Sequence, residues 1–352
     1  MPPSSDAMLP EAAALLRRGD PFGALAPAER DQLLSAADRH GLLGALAGRL
    51  PEGDAGLRAR YARLAAGARL RDGRVREVLE EVLGLLARQG VVPIALKGPM
   101  LADRIHPDPG LRPSGDLDLL VREADLERSV EALVGAGFGR APAIVDAYQR
   151  RHLHHLHLSR VPGPDVELHF KAQSASGLSL PAADLFGRAL PHRTSRGTPL
   201  LLLSPEDELL VLAVHAAGHR LDRAGWLHDL LLFLERHPAL DFGLLAERAA
   251  RARCRRAVAC ALGPARELGA AIPDLLLRPL GPRRRALCAR LARAARARRG
   301  RAAGALAIAH GLLLHDRLRD ALARVLIEGS WVVRRRLAAR GRQAPGRAGG
   351  SA

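Results

Sequence analysis

The sequence predicts an α+β fold in which a small mixed β-sheet is flanked by helical regions before and after it in the chain. Three observations predict this fold. Leu and Ala recur at helical spacing through residues 1–90. Apolar and polar residues then alternate in short runs between residues 91 and 172, as they do in half-buried strands. From residue 204 onward the apolar spacing is helical again.

A chain of 352 residues has room for two or three domains. We place an N-terminal helical region at 1–90 and the sheet-containing core at 91–200. A C-terminal helical, arginine-rich region follows at 201–342. The last ten residues, 343–352, are rich in Gly, Ala and other small residues and are expected to be disordered.

The first strands of the core flank a polar loop. The apolar run at 91–96 predicts a short buried strand that leads into a turn at Lys97-Gly98. The run DLDLLV at 116–121 predicts a second strand, and residues 123–138 then have the spacing of an amphipathic helix. These elements place the Lys-Gly turn and the acidic strand close together in the chain.

A β-hairpin is expected next. Its arms are HLHHLHLS at 152–159 and VELHFKA at 166–172, and the turn between them is rich in Pro and Gly. Alternation along the second arm places Glu167, His169 and Lys171 on one face, opposite its apolar residues.

The C-terminal region is expected to be helical throughout. Ser204 is placed as the N-cap of its first helix, with Pro205 at the first helical position. Further helices are predicted at 226–236, 243–262, 283–299 and about 317–340.

Charge is unevenly distributed along the chain. The net charge is +17, and the segment from Arg248 to Arg342 carries 24 arginines against five acidic residues. A basic region of this kind suits a polyanionic partner such as nucleic acid, an anionic lipid surface or an acidic protein. The segment SWVVRRRLAARGR at 330–342 is also compatible with an interfacial helix. The alternative is a set of solvated helix faces in an arginine-rich composition.

Several classes of protein are not expected. No apolar stretch of 18 residues is free of charge, so no transmembrane segment is predicted. The N-terminus does not resemble a signal peptide. The three cysteines lack CxxC spacing, which speaks against a disulfide framework or a structural zinc site and favours buried thiols. A cytoplasmic location fits these features best.

Three carboxylates form the candidate metal site. Asp116 and Asp118 lie on the same side of their strand, roughly 7 Å apart at the backbone. Carboxylates so close repel each other unless a cation lies between them. Glu167 projects from a neighbouring strand with a similar facing. Three such acids can hold two Mg²⁺ ions, or Mn²⁺ in their place, and so orient a triphosphate.

Basic residues near these acids are candidates for phosphate binding. The Lys97-Gly98 turn offers backbone N–H groups and an ammonium, and Arg112 could neutralise charge on a transferred phosphoryl group. Only two of the 54 basic residues are lysines, Lys97 and Lys171, and both lie near the acidic motif. A simple ion pair is the alternative for Arg112 and Lys171.

Histidines provide a second set of candidates. His169 is expected to line the nucleotide pocket. A zinc site within the hairpin is the less favoured interpretation; its ligands would come from His152, His154, His155, His157 and His169. His215 and His219 are one helical turn apart and lack the intervening glutamate of a metalloprotease. Asp229 on the next helix is placed to orient either ring. The expected role is a buried polar network that joins the helices to the sheet, and the alternative is contact with the base or the acceptor.

The segment LKGPMLADRIHPDPGLRPSGDLDLLV, followed by a helix ending in Gly-Phe and later by VELHF, resembles the DNA polymerase β-type nucleotidyltransferase superfamily. Within it, the segment resembles an uncharacterised bacterial nucleotidyltransferase branch. The resemblance implies a small mixed sheet flanked by helices, with Asp116, Asp118 and Glu167 as the metal-binding triad. The superfamily carries Gly-Ser or Gly-Gly where this chain has Lys97-Gly98, so the phosphate contact would pass to Lys97.

The expected activity is transfer of a nucleoside monophosphate from a Mg-bound nucleoside triphosphate, such as ATP, with release of pyrophosphate. The acceptor stays open between a small molecule, a protein, including the partner in a toxin–antitoxin pair, and RNA, because a fold does not choose among them. The alternative is a catalytically inactive protein of this fold that binds nucleic acid or a protein through its basic C-terminal region.

Overall fold

The computed structural model describes residues 15–16, 19–23, 25–172, 180–298, 300–317 and 319–323. It confirms the predicted α+β fold: one mixed seven-stranded sheet is flanked by helices. The predicted tail at 343–352, the interfacial segment and most of the helix at 317–340 lie outside the described residues.

The N-terminal region is helical, as predicted. Its helices are α1 (Pro27–His40), α2 (Leu43–Leu46) and α3 (Ala55–Arg88). The side chain of Asp54 caps α3 by accepting a hydrogen bond from the backbone N–H of Leu57 at 3.0 Å. The apolar stripe along the second half of α3 packs on the sheet.

The sheet contains seven strands in the spatial order β3-β4-β5-β2-β1-β7-β6. They are β1 (Ile94–Ala95), β2 (Asp116–Leu120), β3 (Gly139–Arg140), β4 (His155–Ser159), β5 (Asp165–His169), β6 (Leu190–Arg193) and β7 (Pro199–Leu202). The hairpin of β4 and β5 is confirmed as an antiparallel pair. In contrast, β2 and β5 pair in parallel, as do β1 and β7.

The two faces of the sheet differ in chemistry. Leu117 and Leu119 on β2, with Val166 and Leu168 on β5, are buried under α3. Since side chains alternate along a strand, the acidic residues of β2 and β5 occupy the opposite face. The burial pattern therefore confirms the predicted facing of both strands.

Short helices fill the connections within the core. They are α4 (Pro99–Ile105), α5 (Leu126–Gly135), α6 (Ala143–His152) and α7 (Ala182–Arg188), with 3-10 turns at Pro109–Leu111 and Glu123–Asp125. The apolar side of α5 joins α3 on the apolar face of the sheet.

The C-terminal region contains α8 (Pro205–Gly218), α9 (Ala224–Arg236), α10 (Phe242–Arg251), α11 (Arg255–Glu267), α12 (Asp274–Leu277), α13 (Pro282–Arg296) and α14 (Gly300–Leu314). Their largest apolar cluster includes Ile94, Leu96 and Leu120 of the core. These helices therefore pack on the same face of the sheet as the acidic residues, against the apolar residues of that face. This packing places α8 and α9 beside the carboxylates of β2 and β5.

Three local details differ from the sequence expectation. The first hairpin arm, predicted at 152–159, begins as a strand only at His155, because His152 still belongs to α6. The single helix predicted at 243–262 is two helices, because Arg253 adopts a left-handed φ of 57° and Cys254 N–H donates back to the carbonyl of Ala249 at 2.9 Å. Ser204 stands at the N-cap of α8, but its hydroxyl donates to Asp207 at 3.1 Å rather than accepting from the helix backbone.

Candidate active site

The four predicted acidic and histidine residues of the sheet line one cavity of about 550 Å³. Asp116 and Asp118 lie on β2, and Glu167 and His169 lie on β5. The parallel register sets Asp118 directly beside Glu167, so their side chains project from the same face. The structure thus brings together side chains that are about 50 residues apart in the chain.

Lys97 lies between the two aspartates. Its Nζ is 2.9 Å from Asp118 Oδ2 and 3.9 Å from Asp116 Oδ2. Burial disfavours the ammonium, but attraction by Asp118 and Asp116 outweighs this effect, and the pKa of Lys97 lies above its usual value. Lys97 is therefore a permanent cation of the acidic wall.

His169 joins the two strands through its ring. Its Nε2 lies 3.1 Å from Asp118 Oδ1 and 3.4 Å from Glu167 Oε2. Burial lowers the pKa of His169, but the two carboxylates raise it by a larger amount, so the net shift is upward. Among the described residues, no group is hydrogen-bonded to its other nitrogen, Nδ1.

The three carboxylates differ in how they ionise. Burial opposes the charge of Asp118, yet Lys97 and His169 hold its pKa well below the usual range. Burial also opposes the charge of Glu167, whose pKa is lowered by the hydrogen bond from His169. Burial and the neighbouring Asp118 raise the pKa of Asp116, which is the most exposed of the three.

The residues present fit a hard divalent cation. Asp118, Glu167 and His169 each offer one ligand atom, and these atoms all lie within 4.8 Å of one another. Together with Asp116, the three carboxylates outnumber the ammonium of Lys97, so this wall attracts cations. Carboxylate oxygens are the ligands that Mg²⁺ and Mn²⁺ prefer.

The hairpin histidines divide into two groups. His157 lies 3.1 Å from Asp165, on the part of the hairpin that does not line the cavity. His154 and His155 do line it and approach His169, with ligand atoms within 4.8 Å of one another. Burial and His169 lower the pKa of His155 to about 4, so this ring is neutral at pH 7. The side chain of His152 is not among those described.

Arg112 forms a buried ion pair, the alternative given for it above, with a partner that the sequence did not indicate. Its Nη2 and Nε lie 2.9 and 3.0 Å from the two carboxylate oxygens of Asp229 on α9. His106 Nε2 lies 2.7 Å from the same carboxylate. Burial opposes the charge of Asp229, but Arg112 and His106 hold its pKa well below the usual range. Arg112 lines the cavity from this fixed position.

The opposite wall of the cavity comes from α8 and α9. His215 and His219 pack around Trp226, with ring centroids 5.1 and 5.2 Å from the indole. The expectation that Asp229 orients one of these rings is wrong, because its carboxylate is bonded to Arg112 and His106. A buried polar network does join the helices to the core, but through those two residues.

The remaining predicted phosphate-binding residues occupy different places. Gly98 lines the cavity and has a φ of 78°, a left-handed conformation that a side chain would strain. Lys171 is exposed and does not line the cavity, and its Nζ lies 5.4 Å from the ring centroid of Phe170. Its role in phosphate binding stays a prediction.

Comparison with known proteins gives the family. The model of a family described as "Uncharacterised nucleotidyltransferase" matches residues 26–270, which is more than half of the chain. The chain belongs to this family. Membership confirms the resemblance seen in the sequence and gives the general kind of reaction, nucleotidyl transfer, with a nucleotide as substrate. No curated protein matches the chain.

The matched segment of this nucleotidyltransferase covers every residue that lines the cavity, from Leu96 to Trp226. It ends before the arginine-rich helix α13 and the mostly apolar helix α14. Within the described residues, none of the helices combines the length and the apolar character needed to cross a bilayer.

Many arginines of the basic C-terminal region have partners within the protein. Arg255 donates to Asp316 at 3.2 Å, and Arg256 donates to the carbonyl of His315 at 2.9 Å. Arg296 donates to Asp222 at 3.0 Å. Part of the excess positive charge is therefore used to join helices.

Proposed function

We propose that this protein transfers a nucleoside monophosphate from a Mg-bound nucleoside triphosphate to an acceptor nucleophile, with release of pyrophosphate. One observation carries the proposal: Asp118 and Glu167 stand side by side on parallel strands, next to Asp116, in the wall of a cavity large enough for a nucleotide. The family supports the type of reaction, and the proposal extends it to the metal and to the residues.

In this proposal Asp116, Asp118 and Glu167 hold the divalent cations, and Glu167 also faces the acceptor. When bound, the cations would orient the triphosphate and stabilise the pyrophosphate leaving group. Lys97 keeps Asp118 ionised and offers its ammonium to the phosphates as they enter. His169 donates to the carboxylates through Nε2 and so fixes their orientation.

We assign the nucleoside to the opposite wall. Trp226 lines that wall, and its indole ring provides a flat apolar surface for a base. Burial and Lys97 lower the pKa of His215 well below its usual value, so the wall beside the indole carries a neutral imidazole. Three buried cysteines without disulfide bonds support a reducing compartment, such as the cytoplasm, for this reaction.

The deciding experiment measures transfer of α-labelled nucleotide from each NTP, with and without Mg²⁺ or Mn²⁺, into acceptors supplied by a cell extract. Asp118→Asn and Glu167→Gln are expected to lower the rate at least about 100-fold, since a metal site supplies several kcal/mol and each 1.36 kcal/mol is tenfold. Asp165→Asn is the matched control, because Asp165 starts the same strand without lining the cavity.

Transfer that survives in both active-site variants would overturn the assignment of these carboxylates. A wild-type protein that binds no Mg-NTP at millimolar concentration would overturn the activity itself. In that case, steeply salt-dependent polynucleotide binding would identify the basic C-terminal region as the functional surface. Labelled product, by contrast, would identify the acceptor as a small molecule, a protein or an RNA.

A further inference from the structure

Three helices of the C-terminal region bring two thiols and an imidazole together, away from the carboxylate cavity. Cys260 lies on α11, Cys288 on α13 and His310 on α14. Their ligand atoms all lie within 4.8 Å of one another, and the residues are 7, 1 and 2 % exposed. None of the three lines the nucleotide cavity.

One buried polar atom of this cluster lacks a hydrogen-bond partner. Among the described residues, none is hydrogen-bonded to His310 Nδ1, which is buried. Burial lowers the pKa of His310 to about 4, so its ring is neutral and available as a ligand at pH 7. A buried nitrogen without a partner is unfavourable, and a bound ion would provide that partner.

The two thiols are neighbours, with their sulfur atoms within 4.8 Å of each other. Interaction between the two thiols raises the pKa of Cys260 and lowers that of Cys288. Arg285, on the same helix as Cys288, favours the thiolate form of Cys260. The raised pKa of Cys260 opposes its ionisation, so a thiophilic cation would have to displace that proton as it coordinates the sulfur.

We propose that Cys260, Cys288 and His310 bind one thiophilic metal ion, of the Zn²⁺ or Cu⁺ type, which joins α11, α13 and α14. Two thiolates and an imidazole are a donor set typical of such ions. Two thiolates also neutralise a divalent cation, which suits a buried site. Binding releases two thiol protons to solvent, so the affinity falls as the pH is lowered.

The geometry requires only small side-chain movements. A metal lies at about 2.3 Å from thiolate sulfur and about 2.0–2.1 Å from imidazole nitrogen. Ligand atoms around it are then within about 4 Å of each other, slightly closer than the 4.8 Å limit seen here. The described residues contribute no fourth His, Cys, Asp or Glu ligand to this group, so a tetrahedral ion would complete its shell with water.

The test uses the full-length protein, purified under reducing conditions without chelators. Its metal content is measured, and Co²⁺ is then titrated into the apo form as a spectroscopic probe for thiolate ligation. Cys260→Ala, Cys288→Ala and His310→Gln are compared with Cys254→Ala. Cys254 is a matched control because it is equally buried, 1 % exposed, but bonds to the carbonyl of Ala249.

We expect one ion per chain in the wild type and in Cys254→Ala, together with a thiolate-to-cobalt charge-transfer band. Both cysteine variants should lose the ion and the band while keeping their helical circular dichroism. An anaerobic Cu⁺ titration against a competing chelator distinguishes the two ions, and either result supports the site. Absence of any bound ion in the wild type, or binding that persists in both cysteine variants, overturns the proposal.

Discussion

Replacement of Asp229 by Asn should destabilise the protein by about 3–5 kcal/mol, the range for leaving a buried charge without its partner. The side chains of Asp229 and Arg112 are 5 and 9 % exposed, and they share two hydrogen bonds of 2.9 and 3.0 Å. His106 donates to the same carboxylate. An amide cannot neutralise the guanidinium and accepts fewer hydrogen bonds, so both partners lose their compensation.

The measurement is urea denaturation of the wild type, Asp229→Asn, Arg112→Met and the double variant. The double variant removes both charges, so its loss should be smaller than the sum of the single losses by at least about 2 kcal/mol. Additive losses, or a loss below about 1 kcal/mol in Asp229→Asn, would contradict the conclusion that the ion pair is buried and coupled.

Two further predictions concern packing and pH. A Cβ at Gly225 would lie 2.6 Å from the carbonyl oxygen of His40, so Gly225→Ala should lower the free energy of unfolding by about 1–3 kcal/mol. Gly73 has open space around it, so Gly73→Ala should raise that free energy by about 0.5–1 kcal/mol. Urea denaturation measures both changes. Burial and His106 lower the pKa of His228 to about 4. Because the unfolded ring takes up its proton near pH 6.5, stability is lost as the pH falls from 6.5 to 4, by up to about 1.4 kcal/mol per unit. Melting curves of His228→Gln should lack that part of the decline, and an unchanged decline would contradict the assignment.

Alternation was sufficient to locate the acidic face. The buried Leu117 and Leu119 fix which way β2 faces, and the same rule applied to β5 places Glu167 and His169 in the cavity. These predictions rest on local periodicity, because successive side chains of a strand point to opposite faces of the sheet.

Other parts of the sheet could not be predicted in this way. Strand β3 has only two residues, and β6 is exposed along its length, so neither has an apolar pattern. Strand β7 begins at Pro199 within an apolar run that continues almost to α8, and its parallel pairing with β1 depends on residues more than 100 positions away. The sequence does not encode such pairings locally.

The polar partners of the site show the same limit. Arg112 was identified as a site residue, but its bond to Asp229 spans 117 positions and has no spacing rule. Cys260, Cys288 and His310 come from three different helices, so the absence of CxxC spacing concealed their proximity. Contacts between distant helices follow from packing, which a single sequence does not display.

The alternation of apolar and acidic residues on β2 and β5 also selects the register in which the two strands pair. If β5 slipped by one residue against β2, Glu167 and His169 would turn into the apolar layer under α3, and Val166 and Leu168 would turn into the cavity. Burying an unpaired carboxylate there costs several kcal/mol. Misregistered chains are thus strongly disfavoured during folding. The acidic side chains that give the cavity its chemistry therefore also disfavour the wrong register, so a chain that folds stably has these side chains aligned in the cavity.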